Sequence, residues 1–251
     1  MNHFEQDITH KEAYRPKNIV IFSLLLVALI SLAFSIVQSY LVQKSFLATL
    51  ASTVLLLTPF FLIGAILKYV DEAYDENRFP KPMAVFATAI GLLLMLGLSL
   101  TSYLSATLFL ALIVSVSIAG KTAGTPFVAA SGGYIILVFL LDIYLTIDPI
   151  LFTIIIIVLT ADEICAEFAK KALKRDDFKI KAPRWQRNSV FFLRDRNLGS
   201  LTLLVLAMIG WIPFVYWLAW ILLDFGYIIV EGISHRQNLK KILLREVFAD
   251  S

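Results

Sequence analysis

Long apolar runs without charge, broken by short polar segments, are the dominant pattern of this chain. A run of about 20 apolar residues crosses the hydrocarbon core of a bilayer as a helix. Lipid offers the backbone no hydrogen-bond partners, so each run must satisfy its peptide groups internally. The runs predict eight spans, at residues 19–42, 46–67, 83–101, 103–120, 126–146, 149–168, 199–213 and 214–234. Residues 199–234 are too long for one span, and Gly210 and Pro213 predict a turn within them, because Pro breaks the helical ladder. The expected organisation is an N-terminal segment at 1–18, a transmembrane helical domain at 19–235 and a C-terminal tail at 236–251. The fold class is all-α, a polytopic transmembrane bundle of about eight spans. The longest polar connection is 169–198.

Composition agrees with this reading. Of the 251 residues, 59% are hydrophobic, against about 45–50% in a soluble domain. The mean hydropathy is +0.81. Residues 1–18 are polar with mixed charge, and the first apolar run is too long for the core of a cleavable signal peptide. The one cysteine, Cys165, excludes an internal disulfide. No Cys/His spacing suggests zinc.

Charge adds an orientation. The net charge is +3, and the basic residues flank apolar spans rather than forming a basic domain, so nucleic acid is not an expected partner. With a cytoplasmic N-terminus, 21 of the 22 Lys and Arg residues fall on one side of the membrane, and only Lys44 falls on the other. Cytoplasmic loops are enriched in Lys and Arg in this sense. The expectation is a multi-pass protein of the cell membrane with both termini cytoplasmic.

Two charged clusters end even-numbered spans. The first runs from Lys68 through Asp71, Glu72, Asp75, Glu76 and Arg78 to Lys81 and Pro82. Asp71, Asp75 and Arg78 follow i, i+4, i+7 spacing and share a face if the helix continues. The second contains Asp162, Glu163, Glu167, Lys170, Lys171 and Lys174, with Glu163, Glu167, Lys170 and Lys174 at helical spacing. Carboxylates meeting across a bundle can hold Mg²⁺, an ion commonly shared with substrate phosphates. Nearby Arg and Lys can bind the same phosphates. The competing reading is a pair of solvated helix ends with ordinary i, i+4 ion pairs.

This arrangement resembles the UbiA family of membrane prenyltransferases. In that family an NDxxDxxxD motif and an RxxRP segment follow span 2, and a second aspartate motif follows span 6. Leu67 and Lys68 fall where the family has Asn-Asp, while Asp71 and Asp75 match the second and third aspartates. Arg78-Phe-Pro-Lys81-Pro82 is similar to RxxRP. Lys121, followed by Thr125-Pro126-Phe-Val-Ala-Ala, is similar to a basic residue and Gly-Asn-Val-Ala stretch before span 5. Glu163 and Glu167 resemble the glutamate and first aspartate of an archaeal-type REIVKDxxDxxGD segment. Three lysines depart from the pattern: Lys68 replaces an aspartate, and Lys170 and Lys174 stand where the second motif has aspartates.

The resemblance implies an intramembrane transferase. It would move an isoprenoid chain from its diphosphate to a small aromatic or lipid acceptor, with Mg²⁺ as cofactor. Asp71, Asp75, Glu163 and Glu167 would be the catalytic, metal-holding residues. Arg78, Lys81 and Lys121 would bind diphosphate, joined by Lys68, Lys170 and Lys174. The alternatives are a UbiA-fold protein that binds a lipid or a partner protein without catalysis, and a small transporter built around Asp224.

Other polar positions carry their own expectations. Asp142 and Asp148 suggest a solvated turn before Pro149. Asp224 and Glu231 suit either interior hydrogen bonding or a functional role. Gly132 and Gly133 suggest close helix packing. Trp211, Trp217 and Trp220 read as an interfacial belt. The segment from Arg184 to Arg196 reads as an amphipathic stretch on anionic lipid.

Overall fold

The computed structural model describes residues 46–120, 125–173 and 197–249, with isolated positions at 183, 186, 189, 190 and 193; side chains at 46–50, 125, 170 and 236–249 lie outside the description. The expected first span, Lys121, Lys174 and nearly all of the Arg184–Arg196 segment therefore fall outside it. The chain forms two compact units, residues 1–54 and 55–251. Of the first, only 46–54 are described, as the opening turns of a helix.

Every regular element among the described residues is helical. Among the described residues the α-helices in order are α1 (Phe46–Tyr74), α2 (Lys81–Thr101), α3 (Tyr103–Ile118), α4 (Thr125–Leu140), α5 (Pro149–Leu173), α6 (Asn197–Met208) and α7 (Phe214–Ala249). A 3₁₀ turn at Ile143–Thr146 precedes α5.

The breaks between helices have local causes. Pro80 caps α2 and Pro82 sits in its first turn, where a missing N–H costs nothing. Ser102 is extended (φ −152°, ψ 122°), ending α2 and opening α3, and its hydroxyl accepts from the Ser105 N–H. Asp142 is left-handed (φ 55°), which ends the expected 126–146 span early, at Leu140. Asp148 is more than a solvated turn. Its Oδ1 accepts from the N–H groups of Ile150 at 2.9 Å and Leu151 at 3.0 Å, capping α5. The turn expected at Gly210 and Pro213 is present, with Gly210 at φ 77°. Beyond it α7 runs on to Ala249, through the stretch expected as a tail.

Among the described residues, four helical stretches are long and apolar enough to cross a membrane: Ala51–Tyr74, Lys81–Thr101, Pro149–Leu173 and Phe214–His235. Helices α3, α4 and α6 have 16, 16 and 12 residues. At 1.5 Å per residue they reach only about 18–24 Å, short of a core of about 30 Å.

Helix α3 packs against α5 and α2, α2 against α4, and α6 against α5 and α7. Phe60 of α1 stacks on Phe109 of α3 at 4.8 Å between ring centres, and both are fully buried. Leu108, Leu151, Leu218 and Val138 extend this core. Buried hydroxyls pair within it, Ser99 Oγ and Tyr134 Oη lying 2.6 Å apart, and at its edge half-buried Ser102 bonds Tyr216. Outside lies a sheath of exposed large apolar side chains, among them Leu55, Phe86, Leu93, Leu140 and Met208. So extensive an apolar surface suits hydrocarbon rather than water.

Two expectations change here. A Cβ on Gly132 would meet nothing within 4 Å, and one on Gly133 only a Leu92 methyl at 3.8 Å, so neither glycine serves close packing. Trp217 and Trp220 are buried, and only Trp211 is exposed, so the three do not form a belt. Trp217 and Trp220 are three residues apart on one face of α7, and that face turns inward.

Candidate functional site

The first charged cluster folds into a network at the end of α1. Helical spacing places Lys68 below both Asp71 and Glu72, and its Nζ lies 3.2 Å from Asp71 Oδ2 and 3.1 Å from Glu72 Oε1. Asn77 then enters the left-handed region (φ 51°), which Asn tolerates better than most residues. This reverses the chain, and the Arg78 N–H donates to the Glu72 carbonyl at 3.0 Å. The Arg78 side chain lies back over the helix end. Its Nη1 is 3.0 Å from Glu72 Oε2, and its Nη2 is 3.4 Å from Glu76 Oε2.

Helix α7 completes the network. Ser234 Oγ donates to Glu72 Oε2 at 2.7 Å and accepts from Arg78 Nη1 at 3.2 Å. Two turns earlier on α7, Tyr227 Oη donates to Asp71 Oδ2 at 3.1 Å. The Lys68 ammonium sits 4.8 Å from the centre of the Tyr227 ring. The hub is Glu72, whose side chain is only 4% exposed, against 41% for Asp71. A buried carboxylate is stable only when paired and hydrogen-bonded, and Glu72 has an ammonium, a guanidinium and a hydroxyl. Removing one partner of such a pair typically costs about 3–5 kcal/mol.

The expected site residues are distributed as follows. Asp71 and Asp75 do adjoin. Partial desolvation first, then the hydrogen bond and charge of Asp71 beside it, hold the Asp75 carboxyl above the usual carboxylate range. Lys81 is exposed, with its Nζ 5.6 Å from the Tyr74 ring centre. Glu163 is buried on α5. Glu167 is half exposed and pairs with Lys171 at 3.8 Å. Lys121 and Lys174, and the Lys170 side chain, lie outside the described residues.

Among the described residues, no three His, Cys, Asp or Glu side chains gather closely enough to hold a metal ion. Mg²⁺ demands near-octahedral oxygen ligands and usually takes one or two carboxylates with water and phosphate. Here the exposed pair is Asp71 and Asp75, and Asp71 already carries the Lys68 ammonium. The described donors alone do not fit the Mg²⁺ site that the resemblance implies.

A second carboxylate cluster surrounds the start of α6. Asp162, buried on α5, accepts from the N–H groups of Leu198 at 3.3 Å and Gly199 at 3.1 Å. Asp224, half-buried on α7, accepts from Ser200 Oγ at 3.0 Å.

Sequence reasoning missed Glu72, Tyr227, Ser234 and Asp162. The i, i+4 spacing of Lys68 and Glu72 was a usable signal, and so was the seven-residue spacing of Tyr227 and Ser234 on α7. Nothing in the sequence pairs α1 with α7. No protein-family model, curated protein or solved structure matches this chain.

Proposed function

We propose that this chain is a UbiA-type membrane protein that receives a prenyl diphosphate where α1 ends, on the cytoplasmic side, and transfers its isoprenoid chain to a small aromatic or lipid acceptor. What supports the reading is the set Asp71, Asp75, Arg78, Lys81 and Pro82, lying where an apolar helix gives way to a polar turn. There an apolar tail has the bundle beside it, and a diphosphate has a guanidinium and an ammonium. Charge neutralisation of the leaving diphosphate is what such a reaction requires of the protein. The allylic C–O bond breaks with its electron pair on the diphosphate. The acceptor bonds to the freed carbon and loses its proton to solvent.

The second reading is a UbiA-type protein that binds a lipid or partner protein without catalysis. One observation favours it: Lys68 occupies Asp71 at 3.2 Å, which cancels charge that would otherwise recruit metal.

The test is purified protein in lipid nanodiscs with farnesyl diphosphate and a phenolic acceptor, with and without Mg²⁺. Binding with diphosphate release supports the transferase. Binding without release in either condition supports the second reading. No binding, unchanged by Arg78→Gln with Lys81→Gln, overturns the shared prenyl-diphosphate site.

A further inference from the structure

We infer that Glu72 is the positioning residue that aims Arg78 at an anionic headgroup, and that Glu76 occupies the headgroup's place on the guanidinium in the free protein. This rests on the reading that a diphosphate binds at the end of α1. A guanidinium offers five N–H donors in a rigid fork. On Arg78 the Nη1 edge is committed to the interior, 3.0 Å from Glu72 Oε2 and 3.2 Å from Ser234 Oγ. The backbone holds it as well, through the Arg78 N–H on the Glu72 carbonyl at 3.0 Å. The Nη2 edge instead meets Glu76, at 3.4 Å, and the Glu76 side chain is 58% exposed.

The two carboxylates are therefore unequal. Glu72 is buried and triply bonded, so an incoming anion does not displace it. Glu76 makes an exposed ion pair, of a kind that contributes little. A phosphate gives the same fork a closer, bidentate partner. Exchange of Glu76 for phosphate leaves Glu72 and Ser234 holding the other edge, so the guanidinium keeps its direction.

The two residues should act with opposite sign. The probe is farnesyl diphosphate, its affinity measured in nanodiscs beside inorganic diphosphate. Glu76→Gln should tighten binding about two- to fivefold, the scale of an exposed pair. Glu72→Gln should weaken it about tenfold, and Ser234→Ala, a gentler disturbance of the same anchor, should weaken it less. Glu231→Gln removes equal charge from the exposed face of α7, where Glu231 faces Lys68 rather than pairing with Arg78, and should give a smaller gain. In an Arg78→Gln background the gain from Glu76→Gln should vanish. If wild type binds but Glu76→Gln gives no gain, or the gain survives loss of Arg78 or is matched by Glu231→Gln, the exchange is wrong while the prenyl-diphosphate reading stands. If neither wild type nor Glu76→Gln binds farnesyl diphosphate, both fall together.

Discussion

Ser234 and Glu72 lie 162 positions apart in sequence, and the Ser234 hydroxyl donates to Glu72 Oε2 at 2.7 Å. This bond joins α7 to the end of α1 at a carboxylate with almost no access to solvent. Ser234 also accepts from Arg78, so a single small side chain bridges both members of the ion pair.

Ser234→Ala should therefore destabilise the protein by about 1.5–3 kcal/mol, the range for a hydrogen bond to a charged group. The loss should appear as a lower unfolding midpoint in detergent. An alanine variant as stable as wild type would mean that Lys68 and Arg78 alone satisfy Glu72.

The approach of α1 to α7 makes a second demand. A Cβ on Gly64 would fall on the carbonyl of Leu223, and one on Gly226 on the carbonyl of Phe61. Both obstacles are backbone, which cannot rotate away. Gly64→Ala and Gly226→Ala should each cost about 3 kcal/mol or more, the upper end for overpacking. Gly97 and Gly232 are helical with nothing within 4 Å of a Cβ. Alanine there should stabilise by about 0.5–1 kcal/mol. Thermal unfolding of the four variants checks the contrast, and equal effects would refute the close crossing.

How much of this was readable from sequence differs by level. Helix positions followed from apolar runs, because backbone satisfaction in lipid leaves few choices. The boundaries at Pro80, Ser102 and Gly210 had local signals in Pro, Ser and Gly. The run of α7 past residue 235 had none, since a polar segment such as 235–241 does not report whether the helix before it continues. In the first charged cluster, spacing singled out Asp71 and Asp75. Glu72 was passed over because its role depends on Ser234, and only tertiary packing brings that residue near.

Asp75 supplies a pH dependence. Its carboxyl titrates above the usual range in the folded protein, through partial desolvation and its neighbour Asp71. An unperturbed Asp titrates near about 3.9. Between that value and the raised folded value, the folded state binds more protons than the unfolded one. Stability then falls as pH rises. The contribution is fully present below about pH 3.9 and is lost as pH passes the folded value. Asp75→Asn should flatten this part of the profile and leave the variant more stable relative to wild type above the window than below it. Unfolding midpoints for both proteins from mildly acidic to neutral pH decide the matter. Parallel profiles would show that the folded protein does not hold the Asp75 carboxyl above its usual range.

Asp162 carries the last prediction. Its neighbour Glu163 has the family resemblance, yet it is Asp162 that accepts from two backbone N–H groups at the start of α6. The first N–H groups of a helix have no partner within it. A carboxylate there also meets the positive end of the helix dipole, worth up to about 2 kcal/mol when partly buried. Asp162→Asn keeps one acceptor and removes the charge, so it should cost about 1–2 kcal/mol. Asp162→Ala leaves both donors bare and should cost more. Gly199 tightens the constraint, because a Cβ there would come within 2.7 Å of the Leu159 side chain and 3.6 Å of the Asp162 carboxylate. Hydrogen exchange should therefore accelerate at residues 198–203 in Asp162→Ala, while the end of α1 stays protected. Uniform acceleration across the chain would show instead that Asp162 supports the whole bundle rather than the start of one helix.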